Sequence, residues 1–137
     1  MTRKAYIAIN SIFLVLIAGI FLYSYFLDHT AAHITCVHRQ YLGIDCPSCG
    51  LSRSFSAIMH LDLTSVMKFN KYGYLVFLFF LLQAILRVLF LTISFQKPEW
   101  LKSTYKWDAF SSGLLFFFCF HPFILYTFFQ FYELLGG

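Results

Sequence analysis

Three long apolar runs divide the chain into membrane-spanning and connecting parts. They cover residues 5–27, 72–95 and 109–132, and only the second contains a charged residue, Arg87. A transmembrane helix needs about 20 apolar residues, so each run is long enough to cross a bilayer. The first run is longer than the core of a signal peptide, which leaves a cleaved signal as the weaker alternative. The pattern predicts an all-α membrane protein, with residues 1–137 forming a single membrane domain.

The connecting segment 28–71 has a helical pattern of its own. Apolar residues recur at helical spacing after Gly50, on one face of a helix over residues 50–60: Leu51, Phe55, Ile58 and Met59. This stripe is too short to span, so we expect a short amphipathic helix at the membrane surface. Asp62 should cap a second short helix from Leu63 onward, and Asn70 should cap the second span.

Composition supports a membrane location and excludes several other classes. Hydrophobic residues make up 60% of the chain and charged residues 12%. An average soluble domain has about 45–50% apolar and about 25% charged residues. These values exclude a disordered protein, an ordinary soluble enzyme and a nucleic-acid-binding tail. The lipid bilayer is therefore the first expected partner, and no nucleic-acid partner is expected.

Basic residues suggest an orientation. Five of them lie in residues 1–4 and 96–108, whereas four are spread over the longer segment 28–71. Cytoplasmic loops carry the denser positive charge, which predicts a cytoplasmic N-terminus. Segment 28–71 and the C-terminus would then be extracytoplasmic, in the cell (inner) membrane. Trp100 and Trp107 lie where aromatic residues anchor spans at the interface.

A cysteine cluster occupies the long connecting segment. Cys46 and Cys49 form a C-P-x-C-G motif directly before the amphipathic helix, and Cys36 lies ten positions before Cys46. The positive end of the helix dipole would favour a thiolate at Cys46. Arg53, one turn after Cys49, would favour a thiolate there. These are the local features of a reactive or metal-binding thiol pair.

The spacing of this cluster resembles that of a known family. Cys36, Cys46, Cys49 and Arg53 fit the signature C-x9-C-P-x-C-G-x-[ST]-R of a family of small bacterial membrane proteins of unknown function. The family pattern continues with Asn-Pro at the next span, where this chain has Asn70 followed by Lys71. The resemblance implies a bacterial, multi-pass membrane protein and implies no reaction.

Three interpretations of the cluster remain open. A disulfide could stabilise the external segment, which suits an oxidising exterior. Zinc or another thiophilic metal could bind Cys36, Cys46 and Cys49 with His60, or with His33 or His38 in its place. The three thiols could instead perform thiol–disulfide exchange, the one enzymatic activity considered. All three interpretations require Cys36 to lie near Cys46 or Cys49, and Arg53 should point toward the motif.

The preferred function follows from the interpretation that a disulfide stabilises the external segment. It makes the chain an interaction or scaffold component with no enzymatic activity and no resident cofactor. Its protein partners would be other membrane proteins or a second copy of the chain. Membrane thiol–disulfide oxidoreductase and metal-binding protein are the alternatives.

Polar residues within the runs are the remaining candidates, because polar groups in hydrocarbon are costly. They are Asn10, Gln83, Arg87 and His121. Asn10 and Arg87 are expected at similar depths and could pair, and Gln83 and His121 are both expected near the midplane and close together. The preferred interpretation of these four polar residues is hydrogen bonding between the spans. A proton path through His121 is the alternative, although the three runs contain no carboxylate to complete it.

Overall fold

The computed structural model describes residues 2–26 and 48–134, and all regular structure in these ranges is helical. In chain order the elements are α1 (Arg3–Phe26), α2 (Leu51–Met59), α3 (Leu63–Phe69), α4 (Gly73–Gln96), a 3₁₀ turn (Pro98–Trp100) and α5 (Leu101–Leu134). Helices α1, α4 and α5 are long and apolar enough to cross a membrane. This confirms the predicted all-α membrane protein with three candidate spans.

Helices α1 and α4 pack side by side in antiparallel orientation. Asn10 bonds to Arg87 near one end, and the rings of Phe21 and Phe77 meet edge to face at 5.3 Å near the other. Arg3 donates hydrogen bonds to the carbonyls of Ser94 and Phe95, at 3.0 and 3.2 Å. A cation at the carbonyl end of a helix also interacts favourably with its dipole, so Arg3 ties the start of α1 to the end of α4.

Helices α4 and α5 are also antiparallel, and their register is fixed at three levels. Arg87 pairs with Asp108, Phe79 with Phe116, and Tyr72 with Phe123. We call the end of the spans at Tyr72 and Phe123 the motif end, and the end at Arg3, Gln96 and Leu101 the basic end. Because α5 continues to Leu134, residues 124–134 extend about 16 Å past the start of α4 at the motif end.

The third span differs most from the prediction. The sequence pattern placed residues 96–108 in a loop, whereas α5 begins at Leu101 and residues 102–108 form two helical turns. These turns carry lysines, serine, threonine and aspartate, so their hydropathy indicated a loop. They stay helical beside α4 because Asp108, only 5% exposed, has polar partners on both other spans. The bounds of α1 and α4 lie within two residues of the predicted runs.

Helices α2 and α3 form a small layer at the motif end. Phe55 is buried against the rings of Phe77 and Phe80 of α4, so α2 packs on the first turns of that span. Asp62 caps α3 as predicted, because its carboxylate accepts a hydrogen bond from the Ser65 amide at 3.3 Å. The layer is thus held against the spans by an aromatic contact and is ordered internally by a cap.

The buried surface of α2 is wider than its amphipathic stripe predicts. Ser54 and Ser56 are fully buried together with Ala57, although none of the three belongs to that stripe. Ser54 donates to the Val66 carbonyl of α3 at 3.2 Å and lies against Gly73, the first residue of α4. Helix α2 is therefore enclosed by α3 on one side and the spans on the other.

Candidate functional site

The cysteine motif is described from Ser48 onward. Cys49 is disulfide-bonded, and its partner lies outside the described residues. Both Cys36 and Cys46 lie outside the described residues, so the approach of Cys36 to Cys46 or Cys49 stays a prediction. Cys119 is a free thiol buried within α5. The described part of the motif therefore contains one oxidised sulfur, at the start of α2.

Asn70 joins the motif to the first turn of α4. Its side-chain amide donates to the Cys49 carbonyl at 2.7 Å, and its side-chain oxygen accepts from the Tyr72 amide at 2.7 Å. The prediction that Asn70 caps α4 is wrong, because Tyr72 is the N-cap residue of that helix and Asn70 accepts from the Tyr72 amide just before the helix begins. Asn70 is only 7% exposed, so both bonds are protected from water. The side chain therefore fixes Cys49 relative to the second span.

Gly50 allows the motif to approach α3 closely. Its φ angle is +80°, a left-handed conformation that glycine adopts without the steric penalty of a side chain. A Cβ atom at this position would clash with the Phe69 carbonyl. The C-P-x-C-G pattern therefore ends in glycine for two structural reasons, the backbone conformation and this contact.

Arg53 and His60, the two supporting residues of the thiol and metal hypotheses, lie on α2 and at its end. The Arg53 guanidinium lies over the Phe69 ring, with its central carbon 5.8 Å from the ring centroid. His60 donates from Nδ1 to the Ser56 carbonyl at 2.8 Å, and its ring stacks on Tyr25 of α1. The Arg53 contact joins α2 to α3 within the layer, whereas the stack of His60 on Tyr25 attaches the layer to α1. Whether His60 and the cysteines bind a metal stays a prediction, because Cys36 and Cys46 lie outside the described residues.

A second polar site lies between the spans, toward the basic end. Each span contributes two residues four positions apart: Tyr6 and Asn10, Gln83 and Arg87, and Asp108 and Ser112. Residues at this spacing share one face of a helix, so the three pairs can converge. We call these six residues the interhelical cluster.

Arg87 is the centre of the interhelical cluster. Its Nη1 donates to Asn10 at 2.6 Å and to Asp108 at 2.8 Å. Its Nη2 donates to Ser112 at 2.9 Å and to Gln83 at 3.2 Å. The guanidinium thus contacts all three spans, which confirms that Asn10 and Arg87 meet. Such planar, multiple donation is characteristic of arginine.

Asp108 balances the charge of Arg87 within the spans. Its Oδ2 also accepts from the Tyr6 hydroxyl at 2.8 Å, and its Oδ1 accepts from Ser112 at 3.2 Å. Both carboxylate oxygens are therefore hydrogen-bonded. Burying a charge is tolerated when it is paired and its remaining lone pairs are satisfied. The interhelical cluster meets both conditions, as expected of a site that holds helices together.

The predicted approach of Gln83 to His121 is wrong. Gln83 accepts from Ser112, and His121 lies nine residues beyond Ser112, or about 13 Å along the helix. His121 is exposed and bonds to the Phe118 carbonyl of its own helix. The error follows from starting the third span at Ala109, which shifted every depth on that helix.

Sequence reasoning missed three members of the interhelical cluster: Tyr6, Asp108 and Ser112. Asp108 and Ser112 were overlooked because the first was assigned to a loop and the second was taken as an ordinary span residue. The sequence contained a signal for this cluster: each span has a pair of polar residues at i, i+4, and the three pairs lie near the same end of the spans. Asp108 also supplies the carboxylate that the predicted spans lacked.

An apolar groove of about 630 Å³ lies between α1, α2 and α4. Its walls include Leu16 and Gly19 of α1, Leu51 of α2 and Val76 of α4. Its surface is almost entirely apolar, so it can hold hydrocarbon chains and offers little to orient a polar ligand. We assign it no site.

Comparison with known proteins gives one match. No curated protein and no solved structure shows significant similarity to the chain. The matched region begins at the first cysteine of the signature, contains α2 and α3, and ends within α4. Residues 36–84 are similar to a family described as "Protein of unknown function (DUF2752)".

Proposed function

We propose that this chain is a bacterial membrane interaction or scaffold component, in which the cysteine motif stabilises the layer of α2 and α3 on the extracytoplasmic side of the membrane. The observation that carries this proposal is the pair of hydrogen bonds of the Asn70 side chain, which donates to the Cys49 carbonyl and accepts from the Tyr72 amide. They hold the oxidised Cys49 against the start of a span. A structural disulfide benefits from such immobilisation, whereas exchange requires attack on an accessible sulfur.

The surface of the layer supports a binding role. Leu61, Leu63 and Met67 are 83%, 51% and 58% exposed, and they lie on or beside α3. A rigid layer that presents apolar side chains at the membrane surface suits contact with another membrane protein or with a second copy of the chain. The disulfide at Cys49 would maintain the shape of this surface.

The proposed orientation places the basic end in the cytoplasm. Arg3, Lys4, Lys97, Lys102 and Lys106 all lie at this end of the spans. The higher density of positive charge favours the cytoplasmic side. The motif end would then face the oxidising exterior, in agreement with a disulfide at Cys49.

Thiol–disulfide exchange is the second candidate function. It is favoured by the position of Cys49 two residues before α2, where the helix dipole stabilises a departing thiolate. Metal binding is supported less well, because a sulfur in a disulfide bond is not available as a thiolate ligand.

Site-specific photocrosslinking in intact cells tests the scaffold proposal. A photoreactive residue at Leu61 or Met67 should give a discrete protein adduct, and the same residue at Val15, exposed on α1, serves as the lipid-facing control. Cys49→Ser should reduce the adduct severalfold because the layer loses its disulfide. An adduct of equal yield at Val15, or one unaffected by Cys49→Ser, would contradict the proposal.

A further inference from the structure

The first two turns of α5 place lysines deeper than the end of α4. The register of Arg87 with Asp108 and of Phe79 with Phe116 puts Lys102 beside Ile93 and Lys106 beside Leu89. The apolar sequence of α4 continues to Phe95, so Lys106 lies about 9 Å inside the level at which α4 becomes polar. The basic end therefore carries polar residues of α5 at the level of the last apolar turns of α4, and we call Lys102 and Lys106 at this level the polar notch.

Both lysines are exposed and belong to one face. Lys102 and Lys106 are four residues apart, so they lie one helical turn apart on the same face of α5. Asp108, the nearest acidic residue on this helix, is buried and paired with Arg87, so it does not neutralise them. The notch therefore exposes two positive charges.

The surroundings of the notch are basic and aromatic. Lys4 and Lys97 are also exposed at this end, and Glu99 is the exposed acidic residue among the described residues there. Trp100 and Trp107 are 56% and 63% exposed. Indole rings prefer the headgroup region of a bilayer, and clustered lysines beside a span attract anionic lipids.

The same face of α5 continues toward the motif end as a shallow apolar path. Ala109 and Gly113 follow Lys106 at helical spacing, and a Cβ atom on Gly113 would have no neighbour within 4 Å. A hydrocarbon chain could lie along these small residues while its headgroup remains beside the lysines.

We infer that Lys102 and Lys106 bind the phosphate of an anionic phospholipid from the leaflet at the basic end. The charge of the notch matches a phosphodiester bearing net negative charge, and its depth brings that headgroup below the usual level. A zwitterionic phospholipid has the same phosphate but carries an ammonium group that cancels the charge, so it should bind more weakly. This inference does not depend on the function proposed for the cysteine motif.

Native mass spectrometry of the purified full chain tests the inference. In detergent with equal phosphatidylglycerol and phosphatidylcholine, the protein should retain phosphatidylglycerol at least severalfold more. The variant Lys102→Gln/Lys106→Gln should lose this preference, and Lys102→Arg/Lys106→Arg should keep it. Lys68→Gln/Lys71→Gln, which removes the same charge from the motif end, is the matched control and should retain the lipid. Thermal unfolding of each variant checks that it is folded.

Two results would overturn the inference. One is equal retention of the two lipids by the unaltered chain. The other is loss of phosphatidylglycerol by the control variant to the same extent as by Lys102→Gln/Lys106→Gln, because attraction would then depend only on net charge.

Discussion

Arg87 and Asp108 form an ion pair of 2.8 Å between the second and third spans. Each is also bonded to the first span, Arg87 through Asn10 and Asp108 through Tyr6. One pair of opposite charges therefore joins all three spans, and its removal should affect the whole bundle.

Replacing Asp108 by Leu should destabilise the bundle strongly. The change leaves the Arg87 guanidinium within the spans without its counter-ion, and breaking a buried pair typically costs about 3–5 kcal/mol. The double variant Arg87→Leu/Asp108→Leu should be less destabilised than Asp108→Leu alone, because no charge is left unpaired. Unfolding in mixed micelles, followed by circular dichroism, measures both. A double variant no more stable than the single one would contradict the pairing.

Tyr6→Phe should have a smaller effect. It removes one hydrogen bond to Asp108 and leaves the ion pair intact. Hydrogen bonds between spans contribute on average about 0.6 kcal/mol, and at most about 1.7 kcal/mol. Thr92→Val is the control, because the Thr92 hydroxyl is exposed and bonds only within its own helix. The same unfolding assay should separate the two variants.

His121→Leu and Gln83→Leu should differ in effect. Gln83 is 6% exposed and bonds to Arg87 and Ser112, whereas His121 is exposed and bonds within its own helix. We expect Gln83→Leu to lower the free energy of unfolding by about 1–3 kcal/mol, since it removes two hydrogen bonds of about 0.5–1.5 kcal/mol each from the interhelical cluster. His121→Leu should change it by less than about 0.5 kcal/mol. Equal losses of unfolding free energy in the two variants would contradict this account and would favour a contact between Gln83 and His121.

Gly73→Ala should disturb the junction between α2 and α4. A Cβ atom on Gly73 would lie 2.5 Å from the Ser54 Cβ, so one helix must move. Overpacking of this kind costs about 1–3 kcal/mol. Gly19→Ala is the matched control, because a Cβ there has no neighbour within 4 Å. Thermal unfolding of the two variants in detergent should show a loss for Gly73→Ala alone.

The spans were predictable from the sequence to different degrees. Helices α1 and α4 begin and end within two residues of the points where hydropathy changes, because only Arg3 and Lys4 of α1 and Gln96 of α4 extend the helices beyond their apolar runs. The start of α5 was not predictable from hydropathy, because Lys102, Lys106 and Asp108 give this segment the low hydropathy of a loop. They are accommodated because two lysines can reach the interface and Asp108 meets Arg87. Hydropathy treats each residue alone and does not record such a partner.

The two candidate sites show the same limit. The pairing of Asn10 with Arg87 followed from comparing depths, and that comparison succeeded because both helix ends were placed correctly. The role of Asn70 was predicted only in part. Its position before the second span indicated a cap, but its bond to the Cys49 carbonyl joins residues 21 positions apart and depends on how the layer folds back. Gly50 likewise depends on a residue distant in sequence, because a side chain there would clash with the Phe69 carbonyl.

Asn70→Ala should weaken the attachment of the motif. The change removes two part-buried hydrogen bonds, to the Cys49 carbonyl and from the Tyr72 amide, and each such bond contributes about 0.5–1.5 kcal/mol. Reduction of the Cys49 disulfide by dithiothreitol should become severalfold faster, because the motif opens more often. Thr64→Ala, which removes an exposed hydrogen bond to Asp62, is the control. An unchanged rate of disulfide reduction in Asn70→Ala would show that Asn70 does not stabilise the motif.

The redox state of Cys49 in intact cells tests the central claim, that the motif is an oxidised structural element on the extracytoplasmic side of the membrane. Cells are treated with a membrane-impermeant maleimide before and after mild reduction, and Cys49 is then identified by mass spectrometry. We expect Cys49 to be unlabelled before reduction and labelled after it, without lysis. Labelling before reduction would show that Cys49 is a free thiol, and labelling only after lysis would place it on the cytoplasmic side; either result would contradict the account.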